Sequence, residues 1–322
     1  MNIRTDLAIE AREMTGKEEI PGVIVDTEKS PEMTISRVRI VNEEGERALG
    51  KPKGYYVTLE VPRLRDKDPE LTEKVSKNLA EELKTMIDLP VDSTVLVIGL
   101  GNWNVTPDSL GPKVVEKLLV TKHLLEIIPE KFNAKKGLRP VCALAPGVLG
   151  ITGIETGEII KGVVERVKPD LVIVIDALAA RSLERISTTI QISDSGIQPG
   201  SGVGNRRMAI SRESIGVPVI AVGVPTVVDA ATVASDTLDM IISEFERQAR
   251  PDSEFYKMLK TLNNQERYQL IREVLYPFVG ELVVTPKEID SLVENTARTL
   301  SGGLNLALHP GISYEEVSAF LQ

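Results

Sequence analysis

The chain has 322 residues, 42% of them hydrophobic, which is enough to bury a large α/β core and too apolar for a disordered chain. Its net charge of -9 excludes a broad phosphate-neutralising surface, so no direct nucleic-acid partner is expected. A single cysteine, Cys142, excludes an internal disulfide and a cysteine-rich zinc site and favours a reducing, cytoplasmic setting, while the lack of an apolar leader or a membrane-length apolar run argues against secretion and a membrane partner.

Residues 1–33 mix charge with scattered apolar side chains and read as a loosely attached segment. Thr34 to Val41 and Tyr55 to Val61 alternate at period two and are expected to pair at a sheet edge. Glu70 to Ile87 follows Pro69 with Leu71, Val75, Leu79 and Leu83 on one stripe, the pattern of an amphipathic helix. Thr94-Val-Leu-Val-Ile98 is an unbroken apolar run, as in a strand buried on both faces of a parallel sheet, and Gly99 and Gly101 end it. A polar turn carrying Asp108 leads to a helix over Val114 to Ile127.

Further on, Pro140 to Ala145 reads as a strand, Pro146 to Thr156 as a glycine-punctuated loop and Glu158 to Val167 as a helix. Asp170-Leu-Val-Ile-Val-Ile-Asp176 is a second buried strand ending in an aspartate, with a helix starting between Ala177 and Glu184. Strands are expected at Thr188 to Ile192 and Val217 to Val222, and Pro225 to Asp229 tops a helix running to about Phe245. Helices near Ser253 to Tyr276 and Pro286 to Leu300 follow. The fold class is therefore α/β: a mostly parallel sheet flanked by helices on both faces, with a small β edge element and a helical C-terminal appendage.

Asp108 and Asp176 each follow a buried strand, so they are expected to meet at one sheet rim, where ligands of open α/β sheets bind. Neighbouring carboxyls raise one another's pKa and can divide acid and base roles. The competing reading is helix capping, the commoner job of a lone aspartate before a helix, and Asp194 and Asp229 share that ambiguity. Gly99-Leu-Gly-Asn-Trp-Asn104 only partly matches a dinucleotide fingerprint, since Asn104 replaces the third glycine. Only His123 and His309 are available as imidazole ligands, Gly200-Ser-Gly202 lacks nucleophile-elbow spacing, and Trp103 is expected to pack over its loop.

Gly99-Leu-Gly-Asn-Trp-Asn-Val-Thr-Pro-Asp-Ser-Leu-Gly-Pro112, Ala145-Pro-Gly-Val-Leu-Gly-Ile-Thr-Gly-Ile-Glu-Thr156, Ile175-Asp-Ala-Leu-Ala-Ala-Arg181, Gln191-Ile-Ser-Asp-Ser-Gly196, Pro199-Gly-Ser-Gly-Val-Gly-Asn205 and Gly223-Val-Pro-Thr-Val-Val-Asp-Ala230 together resemble the germination proteases of endospore-forming bacteria. The resemblance runs from about Ile3 into the 240s and returns around Val284 to Pro310. It implies an aspartic-type endopeptidase of the spore core that degrades small acid-soluble spore proteins, is made as a zymogen and works as a homotetramer. The family's two essential aspartates fall on Asp108 and Asp176, which shifts the weight from capping to catalysis. The fold is similar to that of hydrogenase-maturation peptidases, which hold a metal with two acidic residues and a histidine. This chain has no histidine between His123 and His309, so no metal and no cofactor is expected.

Arg4-Thr-Asp-Leu-Ala-Ile-Glu-Ala11 matches the pattern at which the family removes its pro-segment, which implies self-cleavage between Asp6 and Leu7, promoted by acid. The expected organisation is a pro-segment over residues 1–6, shorter than the family usually carries, an α/β peptidase domain over 7–245 and a helical C-terminal region over 246–322 packed on it. The alternatives are a metal-dependent peptidase of the hydrogenase-maturation type and a nucleotide-binding α/β module without hydrolytic activity.

Overall fold

The computed structural model describes residues 5–16, 19–127, 137–199, 208–248, 264–280 and 282–320. Among them one sheet holds β1 (Val23–Lys29), β2 (Thr34–Ile40), β3 (Gly54–Glu60), β4 (Val95–Gly99), β5 (Val141–Leu144), β6 (Leu171–Ala180), β7 (Thr189–Ser193), β8 (Val219–Asp229) and β9 (Val283–Val284). The order is β1-β2-β3-β7-β8-β6-β4-β5, with β9 pairing the end of β8. The α/β class holds, and parallel pairing runs through β5-β4-β6-β8, the strands with the longest apolar runs. From β8 outward, β7, β3, β2 and β1 pair antiparallel, so the complete sheet is mixed.

The edge pair expected from period-two alternation is β2 and β3, and β1 extends it from residues read as a loose segment. Apart from Val23-Ile-Val25, β1 is polar, which hides it from an apolar pattern. It is held by cross-strand charge, with Arg37 of β2 donating to Asp26 and Glu28 at 3.2 Å each.

Helices cover both faces. On one, Pro69–Met86 is capped by Asp68, which accepts from Glu70 N, and it buries the expected stripe of Leu71, Val75, Leu79 and Leu83. Against it lies Ile289–Leu308, longer than the predicted Pro286–Leu300 helix and a central part of the largest core, together with Leu110 and Val114 of Leu110–Glu116. On the other face, Thr156–Val167 and Arg212–Ile215 pack over Leu96, Ile98, Val172 and Val174. A separate cluster there joins Leu7, Ala8 and Ile9 to Val38, Tyr56, Leu178 and Ala180.

Several boundaries differ from the sequence reading. The predicted helix over Val114 to Ile127 divides into Leu110–Glu116 and Lys122–Ile127. β6 continues to Ala180 where a helix was expected, because β8 is equally long and pairs Ala177 with Val224 through to Ala180 with Val228. For the same reason Pro225 to Asp229 belongs to β8, and the helix starts at Ala230. The helix read near Ser253 to Tyr276 is described from Asn264 to Val279, and its earlier residues, with Gly200-Ser-Gly202, lie outside the described residues.

Candidate active site

Asp108 closes the short 3-10 turn Thr106–Asp108 that follows β4 and packs against β6 and β8. The loop is cinched by Asn102 N, which donates to both the Asp108 carbonyl at 3.1 Å and Asp108 Oδ2 at 2.9 Å. Gly101 permits this closure: its φ is +116°, and a Cβ there would stand 1.8 Å from the Asp108 carbonyl oxygen. The glycines therefore tie the loop to its own aspartate, and a 3-10 turn intervenes before Leu110–Glu116, so the stretch is not a pyrophosphate cradle.

Asp176 sits inside β6, flanked by buried residues on the strand and not at its end, so the expected rim position is corrected to a mid-strand one. The period of two puts its side chain on the face of Val174 and Leu178, between two apolar clusters. Its Oδ1 accepts from Ala177 N at 2.9 Å. Neither aspartate caps a helix, whereas Asp229 does, accepting from Ala231 N at 2.7 Å, and Asp194 accepts from Tyr55 N at 2.7 Å.

The two carboxyls are electrostatically coupled. Burial pushes Asp108 up to about 6 against the pull of the Asn102 N–H. Burial, then the charges of Asp108 and Asp6, hold Asp176 well above the usual carboxylate range. Both carboxyls accordingly hold a proton more tightly than an ordinary aspartate does. This is the arrangement in which one carboxyl can take a proton while the other gives one.

The N-terminal segment, read from sequence as loosely attached, is laid on the same face. Asp6 N donates to the Ala179 carbonyl at 3.1 Å and Ala179 N donates to Asp6 Oδ2 at 2.9 Å, three residues along β6 from Asp176. Leu7 and Ala8 are fully buried in the cluster with Leu178. Glu10 accepts from Arg181 N at 2.8 Å and Ser182 N at 3.1 Å and has Arg185 Nη1 at 3.6 Å. Thr5 Oγ1 donates to Glu10 and accepts from Leu7 N at 3.1 Å.

Two residues of this site carry no motif. Lys51, in the turn after the helix Glu43–Leu49, donates from Nζ to the carbonyls of Thr5 and Asp6 at 3.0 Å each. Gln191 of β7 donates from Nε2 to the Asp6 carbonyl at 3.1 Å and accepts from Ala8 N at 2.6 Å. The register offers a signal only in retrospect: Gln191 and Asp176 are both paired with Gly223, so their side chains flank a position without one.

The donor set does not fit a metal. Among the described residues no group of three or more His, Cys, Asp and Glu side chains is gathered. His309 is buried with Nδ1 accepting from Arg139 N at 3.3 Å and Nε2 3.0 Å from the Leu119 carbonyl, and His123 is exposed on Lys122–Ile127. Trp103, expected to pack over the loop, is exposed. Among the described residues no helix is long and apolar enough to cross a membrane.

Over residues 3–261 and 248–321 the chain matches the family profile described as germination protease. It is 57% identical over 321 residues to the germination protease of Caldanaerobacter subterraneus subsp. tengcongensis, covering 100% of this chain and 98% of that one. To that of Clostridium tetani it is 50% identical over 324 residues, with 100% of each covered. To that of Bacillus subtilis it is 47% identical over 359 residues, with 99% of this chain and 96% of the other covered. The resemblance read from the sequence motifs is borne out.

Proposed function

This chain belongs to the germination protease family and is a hydrolase of peptide bonds, and on that premise we propose that Asp108 and Asp176 are its catalytic pair. The observation that carries the proposal is a buried carboxyl, Asp176, coupled to a half-buried one, Asp108, both with proton affinity raised by burial and with no cation acting to lower it. Asp108, ionised above about 6, acts as general base on water. Asp176, whose hold on its proton is raised by burial and by the charges of Asp108 and Asp6, acts as general acid. Water attacks the carbonyl carbon and loses a proton to Asp108; the C–N bond then breaks as Asp176 protonates the leaving amine.

The substrates are small acid-soluble spore proteins, met in the spore core, and the working form is a homotetramer. The protein is a zymogen that cuts itself between Asp6 and Leu7, with residues 1–6 as pro-segment, 7–245 as peptidase domain and 246–322 as a helical region on it. Supporting this, Asp6 pairs with Ala179 of β6 just ahead of the short helix Ala8–Glu13, and Glu10 of that helix places its carboxyl among the N–H groups of Arg181 and Ser182. Acid favours the cut only down to about 6, where Asp108 takes up its proton and the base is lost.

The test is cleavage of a purified small acid-soluble spore protein by the parent, Asp108→Asn and Asp176→Asn. Each variant is expected to lose at least about 100-fold in kcat with its assembly unchanged. Rates within tenfold of the parent contradict the pair. Chelator treatment separates the metal-dependent alternative, because activity lost on metal removal and restored by a divalent ion would favour it. N-terminal sequencing decides the zymogen step: a Leu7 start in the parent and not in Asp176→Asn supports self-cleavage, and the same product in both rejects it.

A further inference from the structure

The carbonyl oxygen of Asp6 has two side-chain donors, Lys51 Nζ at 3.0 Å and Gln191 Nε2 at 3.1 Å. An ordinary peptide carbonyl is satisfied by one backbone N–H, and a half-buried lysine is an expensive choice of donor. Burial works to lower the affinity of Lys51 for its proton, and the charges of Asp6 and Glu10 oppose that, so the ammonium is kept where two carboxylates face it. Gln191 is buried as well, and its carboxamide is fixed at both ends, since its Oε1 accepts from Ala8 N on the far side of the Asp6–Leu7 bond. One cation and one fixed amide thus converge on a single carbonyl oxygen.

We propose that Lys51 and Gln191 form the oxyanion site of this peptidase, seen here holding the carbonyl of the Asp6–Leu7 bond. This rests on the peptidase reading and on the Asp6–Leu7 bond lying ahead of the helix Ala8–Glu13, with Asp6 paired to β6. When water adds to the Asp6 carbonyl carbon and gives its proton to Asp108, the carbonyl π pair moves onto oxygen, and the Lys51 and Gln191 N–H groups stabilise that charge. Collapse of the intermediate returns the pair to the carbonyl, breaks the bond to Leu7 N and delivers the Asp176 proton to that amine. Donors set before the reaction act where charge develops, and removing one costs about 100- to 1000-fold in kcat. The same pair of donors would then serve every substrate once the segment leaves.

The alternative is that Lys51 only anchors the segment. Two readouts on the full chain separate the two: the first-order rate of appearance of a Leu7 N-terminus, and amide hydrogen-exchange protection over residues 7–13, which reports docking. Lys51→Met is expected to slow the cut about 100- to 1000-fold with protection retained, Gln191→Leu about tenfold or more, and Lys51→Arg is expected to recover part of the rate. A Lys51→Met rate within threefold of the parent overturns the proposal, as does a rate loss matched by an equal loss of protection. Should Lys51→Met not fold, Gln191→Leu decides by the same criteria. A parent that never yields Leu7 but cuts a peptide of residues 4–11 added in trans refutes self-processing alone, and the variants are then judged on kcat for that peptide. A parent that cuts neither overturns both.

Discussion

Two sets of buried or half-buried carboxyls in this molecule are treated in opposite ways. Glu82, on the helix Pro69–Met86, is nearly inaccessible and is met by Arg37, whose Nε lies 3.2 Å from Oε2. Glu294 on Ile289–Leu308 lies 2.9 Å from Lys117 and 3.3 Å from Lys113; burial works to raise it, yet those lysines carry it down to about 2. Asp108 and Asp176 receive one backbone N–H each, and the charges acting on Asp176 are those of Asp108 and Asp6. A fold that can supply cations to its structural carboxyls and withholds them from one pair has kept that pair able to hold a proton at neutral pH.

The contrast can be broken from the cation side first. Arg37→Met leaves Glu82 without its cation and is expected to destabilise the fold by about 3 kcal/mol, measured by urea unfolding at pH 7. From the other side, Asp108→Asn keeps the acceptor for Asn102 N and removes a carboxyl held near 6, against an ordinary value near 4. A raised carboxyl favours the fold below its unfolded value, and that contribution is lost as pH rises through the folded one. The substitution is therefore expected to stabilise by about 2 kcal/mol above pH 7 and by almost nothing at pH 4. Glu294→Gln sharpens the comparison at its weak end. Its carboxyl is lowered, so its contribution is present above the unfolded value and lost as pH falls through about 2; with Glu294 half-exposed and screened by solvent, a loss below about 1 kcal/mol, diminished by salt, is expected at pH 7. A gain for Arg37→Met or a loss for Asp108→Asn would remove the distinction.

The two aspartates proposed as the catalytic pair stood out in the sequence, and their placement did so less. β4 announces itself because Val95 to Ile98 are apolar and buried on both faces. β6 was cut short at Asp176 because Ala177-Leu-Ala-Ala180 has the composition of a helix; the pairing with β8, a long-range effect, overrides that propensity. Strand direction is not written in a single strand, so the antiparallel return through β7 and β3 could not be read from Thr189–Ser193 or Gly54–Glu60. Lys51 and Gln191 had no signal of their own. One sits in a glycine-rich turn and the other looks like an ordinary polar residue in a strand, and only the fold brings both to the Asp6 carbonyl, across 45 and 185 positions of chain.

The raised proton affinity of Asp108 and Asp176 is open to direct measurement. Carbon-13 NMR of protein labelled at the aspartate carboxyls, with signals assigned by their absence in Asp108→Asn and Asp176→Asn, follows each group through a pH titration. The predicted result is an Asp108 signal with its midpoint near 6 and an Asp176 signal with its midpoint well above the ordinary carboxylate range. Two carboxyls that both ionise near the ordinary value of about 4 would contradict it.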